Sequence, residues 1–224
     1  MAVRHLSFPV GDTATVSALW DEPRAAKAVL VLAHGAGAGM THKAMTATAE
    51  GLAARGVAVL RYNFPYMERG SKRPDVPALA QATVRAAAEE ARRLARGRPV
   101  FAGGRSFGGR MTSQAQAGTP LPGVSGLVFF AFPLHPSGAP AVTRADHLVR
   151  IGVPMLFLQG TRDTLARLDL IEATVAGLGP RATLHLAADA DHSFHVPAIT
   201  GRTDAAVLGG ILDTAAAWMF AHVG

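Results

Sequence analysis

Hydrophobic positions along the chain follow two rhythms. Nearly continuous apolar runs occur at 28–33, 57–62, 124–132 and 153–159. Such runs predict strands covered on both faces, because a strand with one wet face alternates apolar and polar residues. Between them, apolar residues recur every three to four positions at 41–55, 78–96, 165–176 and 204–222, which predicts helices. The last is expected to be amphipathic, with Val207, Ile211, Leu212, Ala215 and Met219 on one face. Thr41 is a candidate N-cap, and Gly56 and Gly97 lie just past helix ends. Segments 4–10 and 13–20 read as a hairpin turned by Gly11-Asp12. Shorter strands are expected at 99–104 and 182–186, and a helix at 110–117. Segment 63–77 holds three prolines and a glycine and reads as a loop. Alternation of strand and helix predicts an α/β fold: a mostly parallel central sheet with helices on both faces. No internal repeat is visible, and the loop at 133–143 is too short for a lid domain. One domain over 1–224 is expected.

Composition narrows the function classes. Of 224 residues, 49% are hydrophobic and 17% charged, which excludes an intrinsically disordered chain. The absence of cysteine removes disulfides, Cys-ligated metals, iron–sulfur clusters and a thiol nucleophile together. The most apolar stretch, 124–134, falls short of the roughly 18 residues of a membrane span. The first residues lack the apolar core of a secretion signal, so a cytoplasmic location is the expectation. Net charge is +6, yet 19 of the 22 basic residues are Arg, and only Lys27, Lys43 and Lys72 are Lys. Without a basic tail or interleaved aromatic and basic residues, this reads as compositional bias rather than a polyanion site. No nucleic-acid or membrane partner is expected; the chain should be a monomer or small homo-oligomer. The basicity is nevertheless local, with eleven basic against four acidic residues between Arg61 and Arg110.

That stretch contains the sharpest chemical signal, Gly104-Arg105-Ser106-Phe107-Gly108. A G-x-S-x-G between a strand and a helix is a nucleophile elbow: a tight turn strains the serine, flanking glycines avoid collision, and the hydroxyl projects above the sheet edge. A serine needs a base. The acid and then the histidine are expected after the serine in the chain. Asp163 follows the strand at 153–159 within Gly160-Thr161-Arg162-Asp163, and His192 follows the strand at 182–186 within Asp191-His192-Ser193. Ser106, His192 and Asp163 are thus the candidate nucleophile, base and orienting acid. His195 is the rival base and Asp169 the rival acid; Asp189 and Asp191 read as loop residues, and Asp163 alone could be a helix cap. The segment His34-Gly35-Ala36-Gly37-Ala38-Gly39 follows a strand. A loop of this kind supplies one oxyanion-hole N–H and the residue after the nucleophile the other, so Ala36, with Gly37 as its alternative, and Phe107 are the candidate donors. The run lacks the Lys-Ser/Thr ending of a phosphate loop. His192 and His195 have H-x-x-H spacing but no carboxylate-rich ligand set accompanies them, so no metal and no cofactor are expected.

With LVLAHGAGAG, FAGGRSFGGRM, LFLQGTRD and DADHSFHV in this order, the chain resembles the α/β-hydrolase superfamily over nearly its whole length. Within it, the chain is similar to small lidless dienelactone-hydrolase-like and testis-expressed-protein-like predicted hydrolases. Dienelactone hydrolases proper use a cysteine nucleophile, which this chain lacks. The resemblance implies serine-hydrolase chemistry on a small carboxylic ester or related acyl compound; the alternative is a non-catalytic binding or scaffold module of the same fold. With no lid, pocket walls are expected from Phe64, Tyr66 and Met67 in one loop and Phe132, Leu134 and His135 in another, favouring short acyl groups. Arg69, Arg105, Arg110 and Arg162 lie near the motifs. They are open to two roles: recognition of a carboxylate-bearing substrate, or scaffold.

Overall fold

The computed structural model describes residues 2–223. Eight strands form one sheet in the order β1-β2-β4-β3-β5-β6-β7-β8. They are β1 (Ala2–Val10), β2 (Ala14–Glu22), β3 (Ala28–Ala33), β4 (Val57–Tyr62), β5 (Val100–Arg105), β6 (Val124–Phe130), β7 (Met155–Gly160) and β8 (Ala182–Ala187). β2 pairs antiparallel with both β1 and β4, and every other pairing is parallel. The helices are α1 (Lys43–Ala54), α2 (Pro65–Glu68), α3 (Pro77–Ala95), α4 (Phe107–Gly118), α5 (Leu168–Gly177) and α6 (Asp204–Ala221), with short 3-10 turns between them.

The two-residue period of a strand sorts the core into two layers. Val29 and Val31 of β3, Ala102 of β5, Phe129 of β6 and Phe157 of β7 pack with α3, α4 and α5. Their neighbours Leu30, Leu32, Phe101, Val128 and Leu156 pack with α1 and α6 on the opposite face. Both faces are covered, which is why these strands read as continuous apolar runs. α3 meets the sheet through Ala80, Ala87, Ala88 and Ala91, small residues that permit close approach. Across β2 and β4, Arg61 forks onto buried Asp21, with Nε to Oδ2 at 2.8 Å and Nη2 to Oδ1 at 3.1 Å. A buried pair of this kind contributes little net stability but penalises any other register, because a shift would strand a charge.

Several boundaries depart from the sequence reading. α4 begins at Phe107 rather than 110, because the glycines of the motif are themselves helical. β6 stops at Phe130, since Ala131 takes φ 55° and turns the chain. The loop at 63–77 holds the one-turn α2, with Pro65 in its first turn, where a missing N–H costs nothing. His42, not Thr41, caps α1, its Nδ1 accepting from the Ala44 N–H at 3.2 Å. α6 buries the face expected of it: Val207, Ile211, Leu212, Ala215 and Met219 turn to the core, while the small residues Ala205, Ala206, Gly210 and Ala217 lie outward. Its 18 residues, at mean hydropathy 1.2, have the length and composition of a bilayer-crossing segment. Its large side chains, Ile211, Leu212, Trp218 and Met219, are packed into the core.

Candidate active site

Parallel strands end on one edge of the sheet, and four loops converge there. They follow β3, β5, β7 and β8 and carry Ala36, Ser106, Asp163 and His192. Ser106 sits at φ 49°, ψ −115°, a backbone state costing about 1–3 kcal/mol for a non-glycine residue. The turn is possible because its flanks lack side chains. A Cβ on Gly104 would lie 2.6 Å from the Ala33 carbonyl oxygen, and one on Gly108 would lie 2.5 Å from it.

From this turn a continuous chain of polar contacts runs inward. Ser106 Oγ is 2.9 Å from His192 Nε2, and His192 Nδ1 is 2.7 Å from Asp163 Oδ2. With Nδ1–H donating to the carboxylate, Nε2 is left to accept the serine proton. Asp163 is buried and both its oxygens are engaged. Oδ2 also accepts from Gln159 Nε2 at 2.5 Å, and Oδ1 accepts from the Leu165 N–H at 2.8 Å. The capping geometry considered for Asp163 therefore coexists with its contact to His192. Gln159 lies next to the end of β7, and its side-chain Oε1 accepts from the Phe132 N–H at 2.9 Å. Sequence reasoning passed over this residue, although a lone amide in an apolar strand was its signal.

The rival residues are engaged elsewhere. His195 is exposed and pairs with Asp204, Nδ1 to Oδ2 at 2.9 Å, an interaction that raises its pKa. Asp169 pairs with Arg167. Asp191 accepts from the Ser193 and His195 N–H groups and shapes the loop. His192 and His195 thus face different partners, and among the described residues no group of three or more His, Cys, Asp or Glu side chains is placed to hold a metal ion.

Ala36 and Phe107 border the same cleft as Ser106. Phe107 opens α4, and the N–H groups of a helix's first turn have no intrahelical acceptor. Buried groups brace the loop carrying Ala36. His34 lies between the Gly35 carbonyl, which takes its Nδ1–H at 2.7 Å, and the Phe64 N–H, which its Nε2 accepts at 3.1 Å. Burial holds its pKa down at about 4, so the ring is neutral in this bridging role. The Tyr66 hydroxyl accepts from the Gly37 N–H at 3.0 Å.

These contacts correct the expected pocket walls. Phe64 and Tyr66 are fully buried; they hold the Ala36 loop from behind, with Phe64 edge-on to Phe107 at 5.4 Å. Met67 is half-buried against Gly39. Phe132 is buried between Phe129 and Phe157, and Leu134 is buried as well. His135 is buried and joins two loops, Nδ1 donating to the Pro136 carbonyl and Nε2 accepting from the Arg167 N–H. Aromatic side chains at these positions gain more from core burial than from lining an open cleft. The cleft beside Ser106, of about 400 Å³, instead has Pro74, Pro77, Pro133 and Leu165 as its apolar wall, with Arg110, Arg144 and Asp75 as charged neighbours.

The arginines divide. Arg105 points away from the cleft, donating from Nη2 to the His192 carbonyl at 3.0 Å with its guanidinium 5.3 Å from the Phe194 ring centre. It thereby ties the turn that carries the serine to the loop that carries the histidine. Arg69 pairs with Asp75 at 2.6 Å, and Arg162 is exposed. Only Arg110 of the four borders the cleft; Arg144, which the sequence did not single out, joins it.

A second Ser–His pair lies two turns further along α4. Ser113 Oγ is 2.7 Å from His147 Nε2 and donates to the Arg110 carbonyl. Both residues are buried, and burial, with Arg150 and Arg110 nearby, holds the His147 pKa down at about 4.

An eight-stranded, mostly parallel sheet with a strained serine at the strand–helix turn defines the α/β-hydrolase class. A family model described as alpha/beta hydrolase domain matches residues 26–220, and the chain belongs to that family. Solved structures share the fold over whole lengths. A dienelactone hydrolase from Anabaena variabilis superposes with TM-score 0.79 at 20% identity, covering 100% of this chain and 99% of that one. A lidless α/β serine hydrolase from Xanthomonas campestris gives 0.76 at 22%, covering 97% and 95%. Est1E from Butyrivibrio proteoclasticus, with ferulic acid bound, gives 0.77 at 15%, covering 97% and 99%. At these identities the likeness is one of fold.

Proposed function

We propose that the protein is a serine hydrolase of short carboxylic esters or related acyl compounds, with Ser106 as nucleophile. The observation that carries this reading is the unbroken contact chain from Ser106 through His192 to Asp163, starting at a strained residue that faces an open cleft. Ser106 Oγ attacks the acyl carbon as its proton passes to His192 Nε2, while Asp163 holds Nδ1–H and stabilises the imidazolium. The N–H groups of Ala36 and Phe107 receive the developing oxyanion. His192 returns the proton to the leaving alcohol, and water repeats the sequence to free the acid. Preference for short acyl groups follows from a cleft of about 400 Å³ open to solvent, without a deep apolar channel for a long chain.

The Ser113–His147 pair supports the reading less well, because it is buried and its serine lies inside a helix, without the strained turn. A fluorophosphonate probe separates the two. Labelling of the wild type should be abolished in Ser106→Ala and undiminished in Ser113→Ala, and the wild type should hydrolyse acetate and butyrate esters faster than long-chain ones. Full labelling of Ser106→Ala would overturn the assignment.

A further inference from the structure

The cleft beside Ser106 carries two cations, Arg110 and Arg144, that form no ion pair among the described residues. Arg110 lies one turn into α4, its N–H bonded to the Ser106 carbonyl at 3.1 Å, so its side chain leaves the helix on the side of the nucleophile. Arg144 reaches the same cleft from the 3-10 turn Thr143–Ala145. Arg110 Nε is buried with no hydrogen-bond partner. Burial, and then the charge of Arg144, lower the Arg110 pKa, so the two guanidinium groups are close enough to repel. The nearby acids do not pair with them: Asp75 is already held by Arg69 and the Tyr66 N–H, and Asp146, beside His147, forms no ion pair with either arginine.

Leaving a buried guanidinium N–H unpaired is costly, and the planar donors of arginine match a carboxylate through paired hydrogen bonds. One helical turn is roughly 5.4 Å, so a group held here lies a few bonds from a carbonyl placed over Ser106. We propose that Arg110 and Arg144 form a carboxylate subsite, and that the substrates are half-esters of short dicarboxylic acids. The ester carbonyl sits at Ser106 and the free carboxylate between the guanidinium groups. The substrate class rests on the reading of Ser106 as nucleophile; the subsite itself does not.

The test is therefore equilibrium binding to the Ser106→Ala protein, comparing monoethyl glutarate with its neutral carboxamide counterpart. The carboxylate should bind at least about tenfold more tightly, the scale of one charge-assisted contact. The preference should shrink at high salt, where screening weakens partly exposed charge pairs. It should fall in Arg144→Met and in Arg110→Met, with circular dichroism confirming that each variant is folded; Arg144 lies in a short surface turn, so its variant decides the matter if Arg110→Met misfolds. Equal binding of the two compounds, no measurable binding of the carboxylate, or a preference that survives Arg144→Met overturns the subsite. Fluorophosphonate labelling of the wild type tests the hydrolase reading separately: a loss there would leave a carboxylate-binding site without an esterase.

Discussion

Two Ser–His contacts sit on one helix, two turns apart, and distance does not tell them apart. Ser106–His192 measures 2.9 Å and Ser113–His147 measures 2.7 Å. The surroundings differ in every respect that chemistry needs. Ser106 precedes the first turn of α4 in a strained conformation and borders a cleft, while its histidine is oriented by a buried carboxylate. Ser113 is inside the helix, and its hydroxyl proton is taken up by the Arg110 carbonyl. Burial, with Arg150 and Arg110 nearby, disfavours the charged form of His147, and among the described residues no carboxylate is hydrogen-bonded to its ring. Hydrogen-bond geometry alone therefore does not make a nucleophile; an orienting acid and an open face do.

The contrast can be broken most decisively at the acid and base. His192→Ala should reduce ester turnover at least about a thousandfold, and Asp163→Asn by a comparable or smaller factor, because the amide no longer favours the productive tautomer. If His147→Gln proves the more damaging to kcat, the assignment of the two pairs is reversed.

Arg105 offers a smaller and more selective perturbation. Removing its contacts to the His192 carbonyl and the Phe194 ring in Arg105→Met should lower kcat by about tenfold, the equivalent of roughly 1.4 kcal/mol, with KM little changed. Arg105→Lys should recover part of the loss. A change confined to KM would place this arginine in substrate binding instead.

The buried histidines sharpen the comparison through stability. His34 and His147 have folded-state pKa values lowered from 6.5 to about 4. Above pH 6.5 both folded and unfolded forms are neutral, and neither ring makes stability depend on pH. As pH falls from 6.5 towards 4, the unfolded chain takes up the proton first, so stability declines by about 3 kcal/mol for each histidine. His147→Gln should flatten its share of that slope in denaturant titrations. An unchanged slope would mean that His147 is charged in the folded protein.

Much of the fold was legible because both faces of its strands are covered. That environment writes continuous apolar runs such as 28–33 and 153–159, whatever the strand order. The elbow at Ser106 was legible because its constraint is local: φ near 49° and the glycine flanks concern a few consecutive residues. Asp163 and His192 could be nominated by chain order, since parallel strands deliver their following loops to one sheet edge. Gln159 could not, because its role depends on an N–H from Phe132 and a carboxylate from Asp163, both supplied by folding.

What the amino-acid order determined by itself was therefore the alternation of strand and helix, the strained turn and the candidate residues around it. The tertiary structure decided which side chains face the cleft. Phe64, Tyr66, Phe132 and His135 stand between the sheet strands and beside the motifs, yet they are buried and hold the site loops in place. Pro74, Pro133, Leu165 and Arg144 form the cleft in their stead. The direction of a loop side chain is set by the balance of burying apolar area against leaving polar groups unpaired. That balance is struck among residues far apart in sequence, so no periodicity along the chain records it.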